Sequence, residues 1–299
     1  MTRSIPVTDV ARDPLMPPCG SQDVCAVIVT YNCDNVVLDN VKAVAGQVGR
    51  VLIVDNGSEP RSLSLLHRVH DQYPGLVHLI LTPANSGISK ALLRGIRDDR
   101  ARPYPVILTL DQDSVLADGA VAMMLQVLRN HPDVGAVGPA YRRRSTRRTH
   151  RVDYLITSGM LARREALADV NWVSPDLFID SVDFDVCLQM RTHGWKLVCD
   201  GRAALSHAIG ERTTLTVAGR QMAHFTHRAI RYYYMSRNHI HIVRTYGRRF
   251  PVFCAKKNLS FVGELGKVLV LGPDRRDKVK MILRGIADAH RNVFGAYAH

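Results

Sequence analysis

Short apolar runs alternate with longer amphipathic stretches between residues 24 and 137 of the sequence. Most of the apolar runs have four to six residues, which is typical of strands buried on both faces of a parallel sheet. The stretches between them show the apolar spacing of helices. This alternation predicts a doubly wound α/β sheet flanked by helices. The predicted strands and helices are, in order, Val24–Val29, Val36–Val44, Val51–Val54, Leu63–Tyr73, Leu76–Leu81, Ser89–Arg97, Val106–Leu110, Gly119–Asn130 and Gly135–Val137.

The rest of the chain extends this domain at both ends. Residues 1–22 are rich in proline and have no apolar periodicity, so they are predicted to form a flexible arm. Residues 23–219 are predicted to form the sheet domain, and residues 220–299 a helical extension. Further helices are predicted over Arg163–Asp169, Val182–Arg191, Arg228–Asn238 and Ile282–Gly295, and a further strand over Lys196–Cys199.

Polar and turn-forming residues follow four of the predicted strands. In a doubly wound sheet the ligand crevice lies at the carboxyl ends of the strands, so these segments predict a ligand site. Turn formation alone explains any one of them. Four successive polar ends, with a close acidic pair on the fourth, favour a functional site. The segments are Thr30-Tyr31-Asn32, Asp55-Asn56-Gly57-Ser58, Asn85-Ser86-Gly87 and Asp111-Gln112-Asp113-Ser114.

Asp111 and Asp113 leave the fourth strand together, separated by Gln112. Two carboxylates here suit Mg²⁺ or Mn²⁺, which prefer oxygen ligands and keep coordination positions open for the oxygens of a diphosphate. A cation in this place neutralises the charge that develops on a departing nucleoside diphosphate. The alternative is that Asp111 caps the following turn and Asp113 is solvated.

The order of these motifs resembles the inverting family 2 glycosyltransferases over most of the chain, and Asp111-Gln112-Asp113-Ser114 looks like the version found in bacterial rhamnosyltransferases. The resemblance implies a GT-A-like doubly wound mixed sheet with a C-terminal helical extension. It also implies that Asp55 accepts a hydrogen bond from the base. One departure is Leu93, because the family commonly has Asn two residues before the glycine that is Gly95 here. The donor contacts that the resemblance implies are Thr30, Tyr31, Asn32, Asp55, Asn85, Gly87 and Asp111.

Two later segments resemble further parts of the family's site. Thr157-Ser158-Gly159 is similar to the segment that shapes the acceptor side, which implies acceptor contacts from Ser158 and Gly159. A strand-turn-helix corner explains the same residues structurally. His207, followed by Ala208-Ile209-Gly210, is similar to the family's third metal ligand, and this implies that it joins Asp111 and Asp113 around the cation. A histidine in the core or at the surface is the alternative.

The helix predicted after residue 181 begins among acidic side chains. Val182-Asp183-Phe184-Asp185 is similar to the family's catalytic motif, which implies that Asp183 is the general base and that Asp185 lies on the acceptor side and orients it. A carboxylate within about 2.6–3.2 Å of a sugar hydroxyl takes its proton as the new C–O bond forms. Attack opposite the diphosphate inverts the anomeric centre. The structural alternative is N-capping by Asp180 or Asp183, and Asp180 is the second candidate for the base.

The net charge of +13 is concentrated in the C-terminal part of the chain. Residues 1–219 contain 24 Lys and Arg against 23 Asp and Glu, whereas residues 220–299 contain 16 against 4, a charge of +12. A basic segment with interleaved aromatic residues suits an anionic membrane surface, where each Lys or Arg contributes about 1 kcal/mol. A solvated basic face is the alternative. Arg142–Arg151 is predicted to be an exposed loop that suits a diphosphate, and Arg231 and Arg237 are further candidates for phosphate contacts.

Other features of the sequence indicate where the protein works. No apolar run reaches the roughly 18 residues of a membrane span, and the N-terminus lacks the apolar stretch of a signal peptide. We therefore expect a cytoplasmic protein that is peripheral on the inner face of the cell membrane. The six cysteines include no C-x-x-C pair and favour a reducing compartment.

Together, the residues and the resemblance predict metal-dependent, inverting transfer of L-rhamnose from dTDP-L-rhamnose to a saccharide acceptor carried on a polyprenyl diphosphate, in cell-surface polysaccharide synthesis. Galactofuranose and N-acetylglucosamine are alternative sugars, because one motif does not define a sugar pocket. A basic nucleic-acid-binding protein is the alternative from another class, but it leaves the acidic strand ends unexplained. A degenerate transferase that only holds partners together is a third alternative.

Overall fold

The chain divides into two compact units in the computed structural model. The first comprises residues up to Pro175 together with Val182–His207, and the second comprises Asp176–Ser181 together with Ala208–His299. The predicted domain boundary between residues 219 and 220 stays a prediction. The residues that the structure describes are 19–141, 148–170, 172–207, 212–217, 220–225, 227–271 and 274–297.

A mixed sheet forms the centre of the first unit. Its strand order is β3-β2-β1-β4-β8-β6-β9-β5, and β7 pairs with β9. The four strands β1 to β4 are parallel neighbours, whereas β8 runs antiparallel to both β4 and β6. The strands are β1 (Val24–Thr30), β2 (Arg50–Asp55), β3 (Val77–Leu81), β4 (Val106–Asp111), β5 (Ser114–Leu116), β6 (Val134–Tyr141), β7 (Thr149–Arg151), β8 (Met160–Arg163) and β9 (Lys196–His207).

Helices cover this sheet and bury its apolar strands. All seven residues of β1 are buried, as expected for a central strand whose residues are apolar on both faces. Fully burying one aliphatic side chain of this kind stabilises the fold by about 1.5–3 kcal/mol. The helices of this unit are α1 (Val36–Ala45), α2 (Pro60–Gln72), α3 (Ile88–Arg97), α4 (Ala120–Asn130), α5 (Arg164–Asp169) and α6 (Val182–Thr192).

Helix α3 approaches the sheet so closely that only glycine fits at one position. A Cβ atom on Gly95 would lie 2.4 Å from Cγ1 of Val27 in β1 and 2.9 Å from Cγ2 of Val54 in β2. Real Cβ atoms do not make contacts of this length, so the neighbouring valines would have to move. Gly95 therefore sets the distance between α3 and the strands whose ends carry the predicted donor residues.

The second unit contains a hairpin and three helices among its described residues. Strands β10 (Arg212–Val217) and β11 (Arg220–Phe225) pair antiparallel, and α7 (Ala229–Tyr246), α8 (Pro251–Leu271) and α9 (Arg275–His290) follow. The helix predicted over Ile282–Gly295 is α9, which begins earlier and ends at His290. It ends there because Asn292, two residues after His290, has a left-handed φ angle of 56°. Among the described residues, no helix combines the length and the hydropathy that crossing a membrane requires.

Candidate functional site

The loops that follow β1 and β2 are joined by hydrogen bonds. The Thr30 hydroxyl donates to Oδ1 of Asp55 at 3.2 Å, and the backbone N–H of Asn32 donates to Oγ of Ser58 at 2.8 Å. In return, Oδ1 of Asn32 accepts the backbone N–H of Glu59 at 2.9 Å. The backbone of Asn32 has a left-handed φ of 47°, a conformation that Asn adopts more readily than most residues, and these hydrogen bonds help to hold it. The first two polar strand ends therefore form one connected structure.

A second set of hydrogen bonds joins the ends of β2 and β3. Nδ2 of Asn56 donates to Oδ1 of Asn85 at 3.1 Å, and Oδ1 of Asn56 accepts the backbone N–H of Ser86 at 2.9 Å. Oδ1 of Asn85 also accepts the backbone N–H of Gly87 at 2.9 Å. Asn56 was not predicted as a site residue. Asn56 follows Asp55 at the end of a strand, and a polar residue at a strand end is the same pattern that predicts the other site residues.

The fourth strand end is tied to β1, to α1 and to the turn before β8. Oε1 of Gln112 accepts the backbone N–H of Tyr31 at 2.8 Å. Nδ2 of Asn40, a fully buried residue of α1, donates to the carbonyl of Asp111 at 2.6 Å. The backbone N–H of Asp111 donates to Oγ of Ser158 at 2.9 Å. The structure thus brings all four polar strand ends together at one edge of the sheet.

The carboxylate of Asp55 accepts hydrogen bonds from several groups within the protein. Its Oδ1 accepts the hydroxyl protons of Thr30 and Ser58, and its Oδ2 accepts the backbone N–H groups of Gly57 and Ser58. A carboxylate has about four lone-pair sites, so these bonds occupy all of them. The side chain is also only 1% exposed. The contact between Asp55 and a base stays a prediction, and it requires one of these hydrogen bonds to break.

The turn before β8 places Ser158 and Gly159 inside the protein. Ser158 is fully buried, and its hydroxyl donates to Oγ of Ser114 at 2.6 Å. Gly159 has φ of 84°, and a Cβ there would lie 2.8 Å from Cγ of Pro139, so glycine is required. Ser158 therefore holds the acidic loop in place, a role that the sequence did not reveal. The predicted acceptor contacts of Ser158 and Gly159 stay predictions.

The sequence does not mark Tyr141, the last residue of β6, which lies beside the turn that holds the acidic loop. Its phenol donates a hydrogen bond to the carbonyl of Ser158. Burial raises the pKa of this phenol well above its ordinary value, and the negative charges of Asp111 and Asp183 raise the pKa further. The turn beneath this phenol contacts both acidic segments, because Ser158 accepts the backbone N–H of Asp111 and the backbone N–H of Leu155 donates to Sγ of Cys187, one turn beyond Asp183 in α6. The predicted strand Gly135–Val137 ends four residues before Tyr141, whereas the observed β6 continues to Tyr141.

Helix α6 carries the predicted base at its second residue. Asp183 is half-buried, and its Oδ1 accepts the backbone N–H of Phe184 at 3.0 Å. Since α6 begins at Val182, Asp183 is inside the helix and does not serve as its N-cap. Asp185 is only 3% exposed, and its Oδ2 accepts Nε2 of Gln189 at 2.7 Å. That burial suits an orienting role, whereas its predicted acceptor contact stays a prediction.

The carboxylate oxygens of Asp111 and Asp113 are the kind of ligand that a hard divalent cation prefers. Asp111 and Asp113 are half-buried carboxylates at the end of β4, and Ser114, the next residue, pairs with His207 in the β5–β9 ladder. The side chain of His207 lies outside the described side chains. Within the described part of the chain, no three His, Cys, Asp or Glu side chains form a group that could hold a metal ion. Two carboxylates with further positions left for substrate oxygens are the arrangement that Mg²⁺ and Mn²⁺ accept.

The basic loop predicted over Arg142–Arg151 is described only in part. Residues 142–147 lie outside the described residues, and Arg148 and Arg151 are exposed. Arg151 belongs to β7, the short strand that pairs with β9. The proposed contact of this loop with a diphosphate stays a prediction.

Comparisons with known proteins identify a family and related sequences. The model of glycosyl transferase family 2 matches residues 25–181, just over half of the 299 residues. The dTDP-rhamnosyl transferase RfbF of Shigella flexneri is 25% identical over 251 residues, which are 75% of this chain and 81% of that protein.

Two solved structures share the fold. The mannosyltransferase PcManGT from Pyrobaculum calidifontis, in complex with GDP-Man and Mn²⁺, matches with a TM-score of 0.59 and 15% identity, over 95% of this chain and 78% of that chain. GalNAc-T7 with UDP, GalNAc and Mn²⁺ matches with a TM-score of 0.58 and 13% identity. This match covers 90% of the present chain and 56% of GalNAc-T7. The predicted GT-A-like mixed α/β fold is thereby confirmed.

Proposed function

The chain belongs to glycosyl transferase family 2, and from this premise we propose that it transfers L-rhamnose from dTDP-L-rhamnose to a saccharide acceptor with the aid of a divalent cation. The similarity to the dTDP-rhamnosyl transferase RfbF supports the choice of donor. We further propose that the acceptor is carried on a polyprenyl diphosphate and that the product is a cell-surface polysaccharide.

The observation that carries the proposal is the position of Tyr141. Its phenol donates to the carbonyl of Ser158, whose hydroxyl accepts the backbone N–H of Asp111, and the same turn contacts α6 through Leu155 and Cys187. The charges of Asp111 and Asp183 both raise the pKa of this phenol. A transferase needs a carboxylate beside the donor diphosphate and another beside the acceptor hydroxyl, separated by little more than the reacting sugar. The proximity of both groups to one phenol supports assigning them to the two sides of one site.

The proposed chemistry uses few groups. Asp183 takes the proton from the acceptor hydroxyl while the hydroxyl oxygen attacks the anomeric carbon, and the bond to the nucleoside diphosphate breaks on the opposite face. The product has the inverted anomeric configuration, and no covalent sugar–enzyme intermediate forms. Asp111, Asp113 and His207 would hold the cation. When bound, Mg²⁺ or Mn²⁺ neutralises negative charge on the departing diphosphate.

The first test concerns the donor. Thermal unfolding is recorded with dTDP-L-rhamnose, UDP-galactofuranose and UDP-N-acetylglucosamine, each with and without Mn²⁺. A ligand at 100 times its Kd stabilises the folded state by about 2.7 kcal/mol. We expect Mn²⁺-dependent stabilisation by the rhamnose donor, and Asp113→Ala should remove it. If only one of the other two donors stabilised the protein, the sugar of that donor would replace L-rhamnose in the proposal.

The second test concerns the base. Asp183→Asn should lower turnover by at least about 10²-fold while donor affinity stays within a few fold, because the amide cannot accept the proton. Asp71→Asn is the matched control, since the side chain of Asp71 in α2 is 78% exposed. Near-normal turnover by Asp183→Asn would remove this residue from the base role.

We also propose that the second unit binds an anionic membrane surface, where polyprenyl-linked acceptors are found. Residues 220–299 carry a charge of +12, and α8 exposes three aliphatic residues, Val252, Leu259 and Val262, at 66%, 76% and 63%. Exposed apolar side chains on a basic helix suit the interface of anionic lipids. Leu259→Glu should weaken sedimentation with phosphatidylglycerol vesicles, whereas Val36→Glu, in the first unit, should not. Equal binding of wild type and Leu259→Glu would argue against α8 as the lipid contact.

A further inference from the structure

A buried amide lies among the apolar residues of α1 in the first unit. Asn40 is fully buried, and so are its apolar neighbours Val37, Val41 and Val44 on the same helix. An apolar residue would fill this position without the cost of taking an amide out of water. Packing against the sheet therefore does not explain why this position is polar.

The amide of Asn40 is directed at the acidic loop, Asp111-Gln112-Asp113-Ser114. Its Nδ2 donates to the carbonyl oxygen of Asp111 at 2.6 Å. Its Oδ1 is buried and has no hydrogen-bond partner in the part of the chain that the structure describes. A buried acceptor without a partner destabilises the folded state. The bond to Asp111 is therefore the contribution that this costly side chain makes.

Buried side chains from two other elements bind both backbone polar groups of Asp111. Its N–H donates to Oγ of Ser158, in the turn before β8, at 2.9 Å, and its carbonyl accepts Nδ2 of Asn40. Ser158 and Asn40 are both fully buried, so water does not compete for these bonds. The next residue, Gln112, accepts the backbone N–H of Tyr31 through Oε1 at 2.8 Å. The backbone that carries the Asp111 carboxylate is thus held from α1, from β1 and from the turn before β8, all within the first unit.

The position of this backbone matters because the proposed cation binds carboxylate oxygens in a defined geometry. Mg²⁺ requires a nearly ideal octahedral arrangement of ligands. Side chains that orient a metal ligand without touching the metal typically contribute a factor of about 10 to 100 in metal affinity. A single Cβ separates the carboxyl group of Asp111 from its backbone, so a shift of the backbone moves the carboxylate with it.

From these contacts we propose that Asn40 is a positioning residue for the Asp111 carboxylate. Its Nδ2 fixes the carbonyl of Asp111, and with Ser158 on the N–H it sets where the carboxylate meets the cation. This inference rests on the proposed function, in which Asp111 holds Mg²⁺ or Mn²⁺. Loss of the Asn40 amide should weaken metal binding without an equivalent loss of stability.

The sharpest variant is Asn40→Leu, because leucine has the same branched arrangement of side-chain heavy atoms but no donor or acceptor. It removes the bond to Asp111, which lowers stability, and it also removes the unsatisfied Oδ1, which raises stability. Because these effects oppose each other, we expect the urea midpoint to change by less than about 0.5 M. The Kd for Mn²⁺ should rise by about 10- to 100-fold.

Both quantities are measured on the full chain. Mn²⁺ is titrated into each variant, alone and with dTDP, and free Mn²⁺ is followed by its electron paramagnetic resonance signal. Urea denaturation followed by tryptophan fluorescence gives the midpoint. A lower midpoint with an unchanged Kd for Mn²⁺ would mean that Asn40 only supports the fold, and this would overturn the proposal.

Gln47→Met is the matched control, since it removes another amide that joins α1 to the segment after the acidic loop. Nε2 of Gln47 donates to the carbonyl of Ala117 at 3.1 Å, and its Oε1 accepts the backbone N–H of Val121 at 3.1 Å. Neither bond involves the acidic loop. Gln47→Met should lower the urea midpoint and leave the Kd for Mn²⁺ within about twofold. Equal weakening of Mn²⁺ binding by Gln47→Met and Asn40→Leu would overturn the specific role of Asn40.

A double-mutant cycle tests whether Asn40 acts through Asp111. In an Asp111→Glu background the carboxylate is already displaced by one methylene, so Asn40→Leu should cost much less in Mn²⁺ affinity than it does in the wild type. Equal costs in both backgrounds would mean that Asn40 acts by another route, and the proposal would fail.

A second variant guards against loss of folding in Asn40→Leu. Asn40→Ser introduces no larger group, and its hydroxyl is one bond too short to replace Nδ2, so it should also weaken Mn²⁺ binding. Wild-type affinity for Mn²⁺ in Asn40→Ser would overturn the positioning role alone. If the wild-type protein bound no Mn²⁺ in either titration, the proposed metal dependence itself would fail, and the positioning role with it.

Discussion

Ser158→Ala should destabilise the first unit, because the Ser158 hydroxyl connects two parts of the acidic loop. It accepts the backbone N–H of Asp111 at 2.9 Å and donates to Oγ of Ser114 at 2.6 Å. Each hydrogen bond contributes about 1 kcal/mol, and loss of an acceptor for a buried N–H costs about 1–3 kcal/mol. With Ser158 and Ser114 both fully buried, we expect the free energy of unfolding to fall by about 2–3 kcal/mol.

Urea denaturation followed by tryptophan fluorescence measures this unit selectively. The chain has two tryptophans, and both Trp172 and Trp195 belong to the first unit. For a slope of about 2–3 kcal/mol/M, the expected loss lowers the midpoint by about 1 M. The slope should stay the same, since the substitution leaves the surface exposed on unfolding nearly unchanged.

Ser89→Ala is the matched control. Ser89 is also fully buried, but its hydroxyl has no hydrogen-bond partner among the described residues. Removing an unsatisfied buried hydroxyl should leave stability unchanged or increase it. If Ser158→Ala and Ser89→Ala had the same effect on stability, Ser158 would not hold the acidic loop through its hydrogen bonds.

Three other properties of the first unit can be tested in the same way. Gly57→Ala should destabilise it by several kcal/mol in urea denaturation, since φ is 81° and a Cβ would lie 2.5 Å from the carbonyl carbon of Ala84; a change below about 1 kcal/mol would contradict this. Burial first, and then the nearby carboxylates, raise the pKa of Tyr141, so its contribution to stability is present below pH 10 and is lost as the pH rises above 10. The stability of wild type relative to Tyr141→Phe should therefore fall above pH 10, and a pH-independent difference would contradict the assignment. Burial raises the pKa of the Cys25 thiol to about 12, so a thiol reagent should modify half-buried Cys199 well before Cys25, as peptide mapping would show.

The sequence by itself determined the local structure of the first unit and where its polar residues lie along the chain. The apolar run Val24–Val29 is one residue short of the observed β1, and the polar segments after β1 to β4 lie at the ends of those strands. These features were predictable because burial on both faces excludes polar residues from a strand. Since parallel neighbours end at the same edge of the sheet, the meeting of these segments followed as well.

Only the tertiary structure decided which distant segments join those ends. The pairing of Thr109 with Met160 inserts β8 antiparallel beside β4, and this places Ser158 under Asp111. No local pattern specifies such a pairing, because it depends on how the whole sheet closes its core. The same holds for Arg237, whose sequence suggested a phosphate contact. It is buried with its guanidinium donating to the carbonyls of Asp176 and Leu177, about 60 residues away in sequence, at the start of a loop in which Phe178, Asp180 and Ser181 have left-handed φ angles.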